Sequence, residues 1–563
     1  MINKNIVGRT VSFDGFGGMD SSTPFGGEAT YSLKNFRLLP DGSLEKREGY
    51  RHLATLSDAA RGRYLLREGG DSVLLCVAGS ELYRIPLDGG EVESASVFSR
   101  TEGNVLFLPV EGVLYLLDGD RLYRYDGGVK LTSGQAYLPV GGKNWEVNTM
   151  SRSTPSEYPN LLTGLSVYEY EYADEIDYLH FAIPVDEVVA FYMGQAMMPP
   201  SSYSLAADRK GIYMNGTQEG HGNSARVIVR AGAHEGLLAC RGSFLYEGED
   251  ESTLLLYGGE AGRVYARRTP EGGGTGFPVY FPSDAVWKLE GGAVQSLCRV
   301  GKQVMIFSED GLRLTRETAN LSKPPAVVTL TTSVGCSAFG GAVPLDKDKF
   351  LFVGGGGVYR VEIDPSLERE CELERVSRPI ERAVGERFLT GAAVCRHPAC
   401  EEVWFADPSG AGEVFIYRPE DKLWYVFGEV RADALVESGG RMLFLEGQYV
   451  NLFEDGLVQD HAPYGTLDVD ARFKSGYFDL GAPESDKRLS GVLLLASLDG
   501  GAIEVRLADG GYVAELTVEG AAHPTFPYLY ERTLKSGRFR FASLELRAAG
   551  AARQRIFGAK VFV

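Results

Sequence analysis

The sequence has no long apolar run and few cysteines, histidines or tryptophans. No stretch approaches the ~20 consecutive apolar residues that cross a bilayer, and residues 1–20 lack the apolar core of a signal peptide. We therefore expect no membrane contact and no secretion. The seven cysteines are odd in number, scattered, and mostly set in apolar strand-like runs. This pattern indicates reduced thiols that pack as small hydrophobic side chains.

Positive charge is also scarce. The chain has 57 Lys and Arg residues against 76 Asp and Glu residues, which gives a formal net charge of −19. A protein that binds nucleic acid tightly through a broad basic surface is therefore disfavoured. Transient, non-specific contact with DNA that slides past the protein is not disfavoured by this charge balance.

The motifs of common enzymes are missing. There is no G-x-x-x-x-G-K-[ST] phosphate loop, no G-x-S-x-G turn, no H-E-x-x-H helix and no Trp-Asp dipeptide of WD repeats. The segment nearest to a metal cluster is Cys395-Arg-His397-Pro-Ala-Cys400, whose spacing is not that of a common zinc module. Gly335-Cys336-Ser337 lies in a strand pattern rather than before a helix. We assign no catalytic, cofactor-binding or metal-binding residue, and we expect no enzyme activity and no cofactor.

Residues typical of turns and strands are abundant. Glycine accounts for 71 of 563 residues, about 13%, against a usual share of about 7%, and it is accompanied by 29 Tyr and 28 Phe. This composition favours many short strands joined by tight turns. Because one hydrophobic core stops growing at roughly 250 to 300 residues, a chain of 563 residues requires several packed units or one repeat architecture.

One hairpin pattern recurs along the chain. It consists of an apolar strand, a turn rich in Gly or acidic residues, and a second strand that usually carries an aromatic residue. Such a hairpin is marginal alone because it exposes an apolar face, so the copies must pack on one another. The seven copies are Val73–Ile85, Val113–Tyr125, Leu254–Tyr265, Val304–Leu312, Phe350–Arg360, Val403–Tyr417 and Met442–Val450.

The repeat predicts an all-β protein built as a β-propeller of six to eight blades, with a set of unrelated antiparallel sheets as the alternative. It is interrupted between Asp126 and Cys240, where an inserted small β domain is expected. Evenly spaced strands near the end of the chain indicate a C-terminal β-sandwich. The expected division is 1–149 for the N-terminal segment and first blades, 150–236 for the inserted β domain, 237–462 for the remaining blades and 463–563 for the C-terminal β-sandwich.

The segment Asn35–Tyr50, with the sequence NFRLLPDGSLEKREGY, resembles the opening of the β-propeller proteins of bacteriophage necks and tails. In that family, an Asn-rich strand, an Asp-Gly turn and an Arg-x-Gly-Tyr strand begin the ring; the matching residues here are Asp41-Gly42 and Arg47–Tyr50. Later phrases are similar to blades of that family, at 334–360 and 414–425, and to its sandwich, at 473–488.

The resemblance implies a virion structural protein of the head-to-tail, DNA-stabilising or tail-nozzle type. Such a protein would form a homo-oligomeric ring, a hexamer, below the portal, where it would extend the DNA channel and help to retain packaged DNA. The implied partners are other copies of the chain, the portal or an adaptor, and tail or fibre proteins, in a virion made in the host cytoplasm. The alternatives are a glycan-binding or glycan-cleaving propeller and a cytosolic interaction propeller.

Overall fold

The structure is a computed structural model that describes residues 10–562 apart from 23, 25–29, 149–153, 173–174, 217–222, 232–234, 248–251, 271–278, 317–322, 365–370, 385–386, 388–391, 408, 480–482, 489, 509–512, 521–526 and 534–537. No helix among the described residues is long and apolar enough to span a membrane. The helical elements described are single turns: α1 (Glu235–Leu238), α2 (Glu381–Val384) and 3-10 turns at Pro200–Ser202, Ser283–Ala285, Arg378–Ile380 and Pro398–Cys400.

The first five strands belong with the far end of the chain. They are β1 (Thr10–Phe13), β2 (Thr30–Lys34), β3 (Phe36–Leu38), β4 (Leu44–Lys46) and β5 (Tyr50–Thr55). Strand β3 pairs with β4, and each of the other four pairs with at least one strand beyond residue 420. The sequence groups these residues with the first blades; in the structure they complete sheets whose other strands come from the C-terminal part of the chain.

Seven groups of four antiparallel strands follow one another in the described part of the chain, and we number them sheets 1 to 7. Sheets 1 to 5 are separate four-stranded sheets, whereas sheet 6 is part of a nine-stranded sheet and sheet 7 is part of a six-stranded sheet that also contains β41 (Gln459–Ala462) and β42 (Gly465–Asp468). Sheets 1 and 2 come first. Sheet 1 consists of β6 (Ala60–Glu68), β7 (Asp71–Ala78), β8 (Glu81–Pro86) and β9 (Glu93–Ser96), and sheet 2 of β10 (Val105–Val110), β11 (Val113–Asp118), β12 (Arg121–Tyr125) and β13 (Leu131–Ser133).

The inserted unit follows sheet 2. Its strands are β14 (Val140–Glu146), β15 (Leu165–Glu171), β16 (Tyr178–His180), β17 (Glu187–Met193), β18 (Ala196–Met197), β19 (Tyr203–Leu205), β20 (Gly211–Met214) and β21 (Ser224–Arg230).

Sheets 3 to 7 follow the inserted unit. Sheet 3 consists of β22 (Gly242–Glu247), β23 (Ser252–Tyr257), β24 (Arg263–Ala266) and β25 (Val286–Lys288), and sheet 4 of β26 (Val294–Val300), β27 (Gln303–Ser308), β28 (Gly311–Thr315) and β29 (Val327–Thr331). Sheet 5 consists of β30 (Ala342–Pro344), β31 (Lys349–Gly354), β32 (Gly357–Ile363) and β33 (Cys371–Arg375), and sheet 6 of β34 (Ala393–His397), β35 (Glu402–Ala406), β36 (Glu413–Arg418) and β37 (Leu423–Gly428). Sheet 7 consists of β38 (Ala434–Ser438), β39 (Arg441–Glu446) and β40 (Tyr449–Phe453) together with β5.

The remaining strands form a hairpin and a sandwich. The hairpin is β41 (Gln459–Ala462) and β42 (Gly465–Asp468); the sandwich strands are β43 (Ala471–Ser475), β44 (Gly491–Ser497), β45 (Ala502–Ala508), β46 (Val513–Glu519), β47 (Tyr528–Thr533), β48 (Ser543–Ala549) and β49 (Arg555–Phe562). One layer of the sandwich continues sheet 6 in the order β2-β43-β48-β45-β46, and the other has the order β3-β4-β49-β44-β47, with β1 also on β49.

All seven predicted hairpins are present, and they are the second and third strands of the seven sheets. The second strand of each sheet, which is the first strand of the hairpin, is apolar at successive positions because both of its faces are buried. Sheet 3 is an example. There Leu254 and Leu256 pack against sheet 2, whereas Leu255 packs against sheet 4. A strand with one wet face would instead alternate apolar and polar residues.

The sheets pack face to face in a cyclic order. Apolar clusters join sheet 1 to 2, 2 to 3, 3 to 4 and 4 to 5, and a larger cluster joins sheets 5, 6 and 7 and the sandwich. The order returns to its start, because Leu443 and Leu445 of sheet 7 pack with Leu74 and Cys76 of sheet 1. The described molecule is therefore all-β and propeller-like.

Strand β5 joins the two ends of this order. It pairs antiparallel with β40, with Ala54 opposite Val450 and Arg51 opposite Leu452. Sheet 7 thus takes three strands from one end of the cyclic order and its fourth strand from the residues that directly precede sheet 1. Backbone hydrogen bonds within sheet 7 therefore hold the segment that leads into sheet 1, and apolar packing joins the two sheets themselves.

The inserted unit lies between sheets 2 and 3 and has its own apolar core. Its two sheets have the orders β14-β15-β21-β17-β18 and β16-β20-β19. The buried side chain of Asn160 fixes the unit to the connection between β24 and β25 of sheet 3. Its Nδ2 donates to the carbonyl oxygens of Val279, in that connection, and of Tyr137, which precedes β14; its Oδ1 accepts the N–H groups of Leu162 and Phe281. The expected division into four regions stays a prediction.

Candidate functional site at the N-terminal clasp

The segment that resembles phage propeller proteins forms a hairpin and a connection, which we call the clasp (Asn35–Tyr50). Its turn lies at Asp41-Gly42, where Gly42 has a φ of +78°, a conformation that glycine adopts without strain. Oδ1 of Asp41 accepts hydrogen bonds from the hydroxyl and the N–H of Ser43, at 2.6 and 3.1 Å. The hydroxyl bond holds the pKa of Asp41 below its usual value, so the carboxylate that fixes the turn stays ionised.

Arg47 is the buried centre of the clasp. Its guanidinium donates to the two carboxylate oxygens of Asp460 at 2.8 and 2.7 Å, and its Nε donates to Oδ1 of Asn35 at 3.1 Å. The same oxygen of Asn35 accepts the N–H of Gly428 at 2.7 Å. Because either charge alone would be buried and uncompensated, such a bidentate pair is costly to break. Arg47 thereby ties the clasp to β41, and Asn35 ties it to sheet 6.

Gly49 explains why the Arg-x-Gly-Tyr phrase contains a glycine. A Cβ at this position would overlap the carbonyl oxygen of Gln459, while the N–H of Gly49 donates to the carbonyl oxygen of Leu457 at 2.8 Å. Only a residue without a side chain allows this approach. Tyr50 then begins β5, and its ring packs edge-on against Phe444 of sheet 7 at a centroid distance of 4.9 Å.

A cleft of about 630 Å³ lies beside the clasp, bounded by the loops of sheets 6 and 7. Most of its basic side chains are paired with acidic neighbours, so the cleft presents little free positive charge for a phosphate group. The pairs are Arg37–Glu48 at 2.9 Å, Arg418–Asp421 at 2.6 Å and Arg553–Glu45 at 2.8 Å.

Glu402 lies at the buried end of the cleft. One carboxylate oxygen accepts the indole N–H of Trp404 at 2.9 Å, and the other accepts the hydroxyl of Tyr425. Nε of Arg37 is 3.4 Å from Glu402. Burial alone would lower the pKa of Arg37, but the carboxylates of Glu48 and Glu402 outweigh it and hold that pKa well above its ordinary value. Both carboxylate oxygens of Glu402 therefore already accept hydrogen bonds from side chains of the protein.

Lys46 is a cleft residue that loses its positive charge at mildly alkaline pH. Burial lowers its pKa to about 8, and its ammonium group donates to the carbonyl oxygen of Gly550. This bond joins the end of β4 to the loop between the last two strands of the sandwich. The positive charge beside the clasp therefore declines as the pH rises above 8.

The Cys395-His397-Cys400 segment forms one edge of this region. Sγ of Cys400 lies 4.0 Å from Nε2 of His397. Burial raises the pKa of Cys400 to about 11 and lowers the pKa of His397, so both groups are neutral at pH 7. Among the described residues, no group of three His, Cys, Asp or Glu side chains is placed to hold a metal ion. Cys400 and His397 are therefore packed as neutral side chains, and the thiol is not an activated nucleophile.

Gly335-Cys336-Ser337 lies at the crossing from sheet 4 to sheet 5. A Cβ on Gly335 would overlap the carbonyl oxygen of Glu309, and the N–H of Cys336 donates to the carbonyl oxygen of Ser308 at 2.8 Å. Burial raises the pKa of Cys336 to about 12, which keeps the thiol protonated. Close packing between sheets accounts for this phrase.

Sequence reasoning did not identify Asp460 as the partner of Arg47, since the two residues are 413 positions apart. It also did not identify Asn35 or Lys46 as polar residues with buried partners. The available signal was local: a hairpin with charged residues leads directly into the strand that begins at Tyr50. Such a signal indicates that the clasp contacts another part of the chain but does not identify the residues that it contacts.

No protein-family model and no curated protein matches the chain. Among solved structures, Sqt1 of Saccharomyces cerevisiae matches with a TM-score of 0.37 and 10% identity, covering 72% of this chain and 99% of that chain. The AfRom2 CNH domain gives 0.36 and 8%, with coverage of 72% and 99%, and the computationally designed Ika8 protein gives 0.34 and 10%, also with 72% and 99%. Because these TM-scores and identities are low, the fold is assigned from the strand pairing and sheet packing described above and not from the comparisons.

Proposed function

We propose that this chain is a structural protein of a bacteriophage neck or tail, which acts through shape and subunit contact rather than catalysis. The clasp is the observation that carries the proposal. In the phrase that resembles the phage family, Asp41-Gly42 makes the turn, Arg47 binds Asp460, and Gly49 allows the contact with Gln459. The resemblance therefore lies in residues that hold the architecture together.

We further propose that the seven sheets are the blades of one closed propeller. Two observations support closure: β5 supplies the fourth strand of sheet 7, and an apolar cluster joins sheet 7 to sheet 1. A closed ring protects the edges of its sheets and resists opening when it is pulled. That property suits a component of a virion that holds DNA under pressure.

Assembly of this protein into a ring requires two different surfaces that meet head to tail. The edge strand β47 of the sandwich exposes Tyr528 and Leu529, the latter by 62%, and the hairpin β41–β42 exposes Tyr464 by 66% and Leu467. Exposed apolar side chains of this size on an open strand edge are typical of contact surfaces. We assign these two surfaces to the contact between neighbouring subunits.

The assembly is tested by mass photometry and negative-stain electron microscopy of the full chain over a range of concentrations, alone and with portal and tail proteins of the same virion. We expect rings of six subunits that bind the portal or an adaptor. The variant Leu529→Asp should reduce the ring population at least tenfold, whereas Val92→Asp, at an exposed apolar position next to β9 of sheet 1, should leave it unchanged. A protein that stays monomeric and binds no portal or tail protein contradicts the proposal.

The competing functions predict different results from the same preparation. A glycan-binding or glycan-cleaving propeller would give saturable binding on a glycan array or turnover of a surface polysaccharide. A cytosolic interaction propeller would be absent from purified virions. We expect neither glycan binding nor turnover, and we expect the chain to be present in virions by mass spectrometry.

A further inference from the structure

The cleft beside the clasp carries more acidic than basic side chains in its lining. Its volume of about 630 Å³ lies within the roughly 300 to 1,000 Å³ of ligand-binding pockets. Seven Asp or Glu residues and five Arg or Lys residues line it. The cleft belongs to the single chain, so its binding properties do not depend on the proposed assembly into a virion.

All five basic residues of the lining already have a partner. Three arginines form the ion pairs with lining carboxylates that were given above. Of the other two residues, Arg47 binds Asp460, and Lys46 donates to the carbonyl oxygen of Gly550. The lining therefore has no basic group free to hold an anion, and its uncompensated charge is negative.

Glu420 and Asp455 are the lining carboxylates that carry this charge. Both are exposed, and neither has an ion pair or a side-chain hydrogen bond with another described residue. The other five lining carboxylates have arginine partners, including Glu401, whose partner Arg396 lies outside the lining. A carboxylate in a cleft attracts a cation more strongly than one on an open surface, because the walls focus its field.

Asp455 belongs to a loop that backbone hydrogen bonds fix to the clasp. The N–H of Glu454 donates to the carbonyl oxygen of Gly49 at 3.2 Å, and the N–H of Gly49 donates to the carbonyl oxygen of Leu457 at 2.8 Å. Leu457 and Val458 of the same loop are half-buried and line the cleft. The loop therefore holds a free carboxylate beside an apolar wall, and little ordering is needed when a ligand binds.

Glu420 is held beside the clasp by Arg418. Nη1 of Arg418 donates to the carbonyl oxygen of Leu38 at 2.6 Å, and Nη2 lies 2.6 Å from Oδ2 of Asp421. Leu38 and Asp421 both line the cleft, so the guanidinium of Arg418 lies within its wall. Arg418 is only 7% exposed, and its Nε is buried without an acceptor among the described residues. An oxygen atom of a bound molecule would supply that acceptor.

We propose that the cleft binds a peptide segment of a partner protein through one arginine of that segment. The guanidinium of this arginine lies between Glu420 and Asp455, its stem packs on Leu457 and Val458, and a peptide carbonyl oxygen accepts the free N–H of Arg418. A guanidinium has five donors in a planar fork, so it can bridge carboxylates of two loops, whereas an ammonium group is a point charge. The methylene stem suits the apolar wall. A small organic cation without a carbonyl group leaves Arg418 without its acceptor.

The binding is tested by ligand-observed NMR titration of the full chain with acetyl-Ala-Ala-Arg-Ala-Ala-amide at physiological ionic strength. We expect saturable 1:1 binding. The same peptide with citrulline in place of arginine keeps the shape but lacks the charge, and butylguanidinium keeps the cation and the stem but lacks the peptide carbonyl. Both should bind about fivefold more weakly or worse, since each removes one part of the proposed contact.

Variants of the two free carboxylates separate specific binding from general attraction by an acidic protein. Asp455→Asn and Glu420→Gln should each weaken binding of the arginine peptide about threefold or more and leave binding of the citrulline peptide unchanged. Asp71→Asn is the matched control and should change neither, because Asp71 is exposed without an ion pair among the described residues but begins β7 of sheet 1. All three substitutions are at exposed positions, so each variant should melt at the temperature of the wild type.

Absence of saturable binding of the arginine peptide overturns the inference, as does equal affinity for the arginine and citrulline peptides. An equal loss of affinity in Asp71→Asn and Asp455→Asn also overturns it. If butylguanidinium binds as tightly as the arginine peptide, the cleft is a site for small organic cations and not for a peptide. Electron microscopy of the same preparation keeps the proposed assembly separate: rings without peptide binding overturn the cleft site alone, and peptide binding without rings overturns the assembly alone.

Discussion

At the scale of single residues, polar side chains define the clasp. Asn35, Arg47 and Asp460 are buried and bind one another across three parts of the chain. Apolar packing could bury the same area in many arrangements, whereas a bidentate charge pair and a shared amide oxygen are satisfied in few. We infer that these residues set the position of the clasp more than they add to its stability.

Arg47→Met tests this arrangement, because it leaves Asp460 as an uncompensated buried carboxylate. The free energy of unfolding should fall by about 3 to 5 kcal/mol. Urea denaturation followed by the fluorescence of the buried tryptophans measures it. Arg209→Met is the control, since Arg209 pairs with Asp186 at 3.3 Å on the surface and should contribute at most about 1 kcal/mol. Equal effects of the two substitutions would refute the assignment.

His397 should make the protein sensitive to mild acid. Burial lowers its pKa below the ordinary 6.5, so the folded state keeps the ring neutral while the unfolded chain binds a proton below that pH. The unfolded state then binds more protons, and the free energy of unfolding falls as the pH drops from 6.5 towards the lowered pKa. In urea titrations over this range, His397→Gln should lose part of the slope. His461→Gln, at an exposed residue, should retain it; identical slopes for all three proteins would exclude this role.

At the scale of elements, local patterns predicted the hairpins correctly and missed the long-range pairings. The runs beginning at Val73, Leu254 and Met442 are apolar at successive positions and lie near tight turns, which suffices to identify a buried hairpin. Nothing comparable shows that β1 pairs with β49 or that β2 pairs with β43. Strands that are distant in sequence pair with the strand edges that remain free in the folded protein. The sequence does not show which edges these are. The clasp was found as a motif, but the contacts that it makes were not.

Asn160 offers a test of how the inserted unit is attached. Asn160→Ala removes four side-chain hydrogen bonds. It leaves the buried N–H of Phe281 without its acceptor and the carbonyl oxygen of Val279 with the N–H of Tyr137 alone, which should cost about 1 to 3 kcal/mol. Hydrogen exchange should accelerate at residues 279–282 more than in the clasp. Asn215→Ala, at an exposed position of the same unit, should leave both quantities nearly unchanged. Uniform acceleration over the whole chain would show that Asn160 has no specific role in the attachment.

At the scale of the whole molecule, the charge is strongly acidic, because 76 Asp and Glu residues stand against 57 Lys and Arg residues, a formal net charge of −19. A long-range field of this sign repels a phosphate backbone.

The acidic exterior should prevent tight binding of duplex DNA. We expect a dissociation constant weaker than about 100 µM at physiological salt, the weak end of the range for non-specific DNA-binding proteins. Fluorescence anisotropy with a labelled duplex measures it, and the affinity should not rise steeply when salt is lowered. A low-micromolar constant with a strong salt dependence would indicate a basic DNA-binding surface instead.

The pairing of β5 with β40 has a consequence for how the protein is made. Residues 50–55 leave the ribosome early, but their partners at 449–453 follow roughly 400 residues later, which at about 5 to 20 residues per second takes about 20 to 80 seconds. During that interval β5 has no partner strand. The pairing that completes sheet 7 is therefore a slow, non-local step, because it must wait until residues 449–453 have been made.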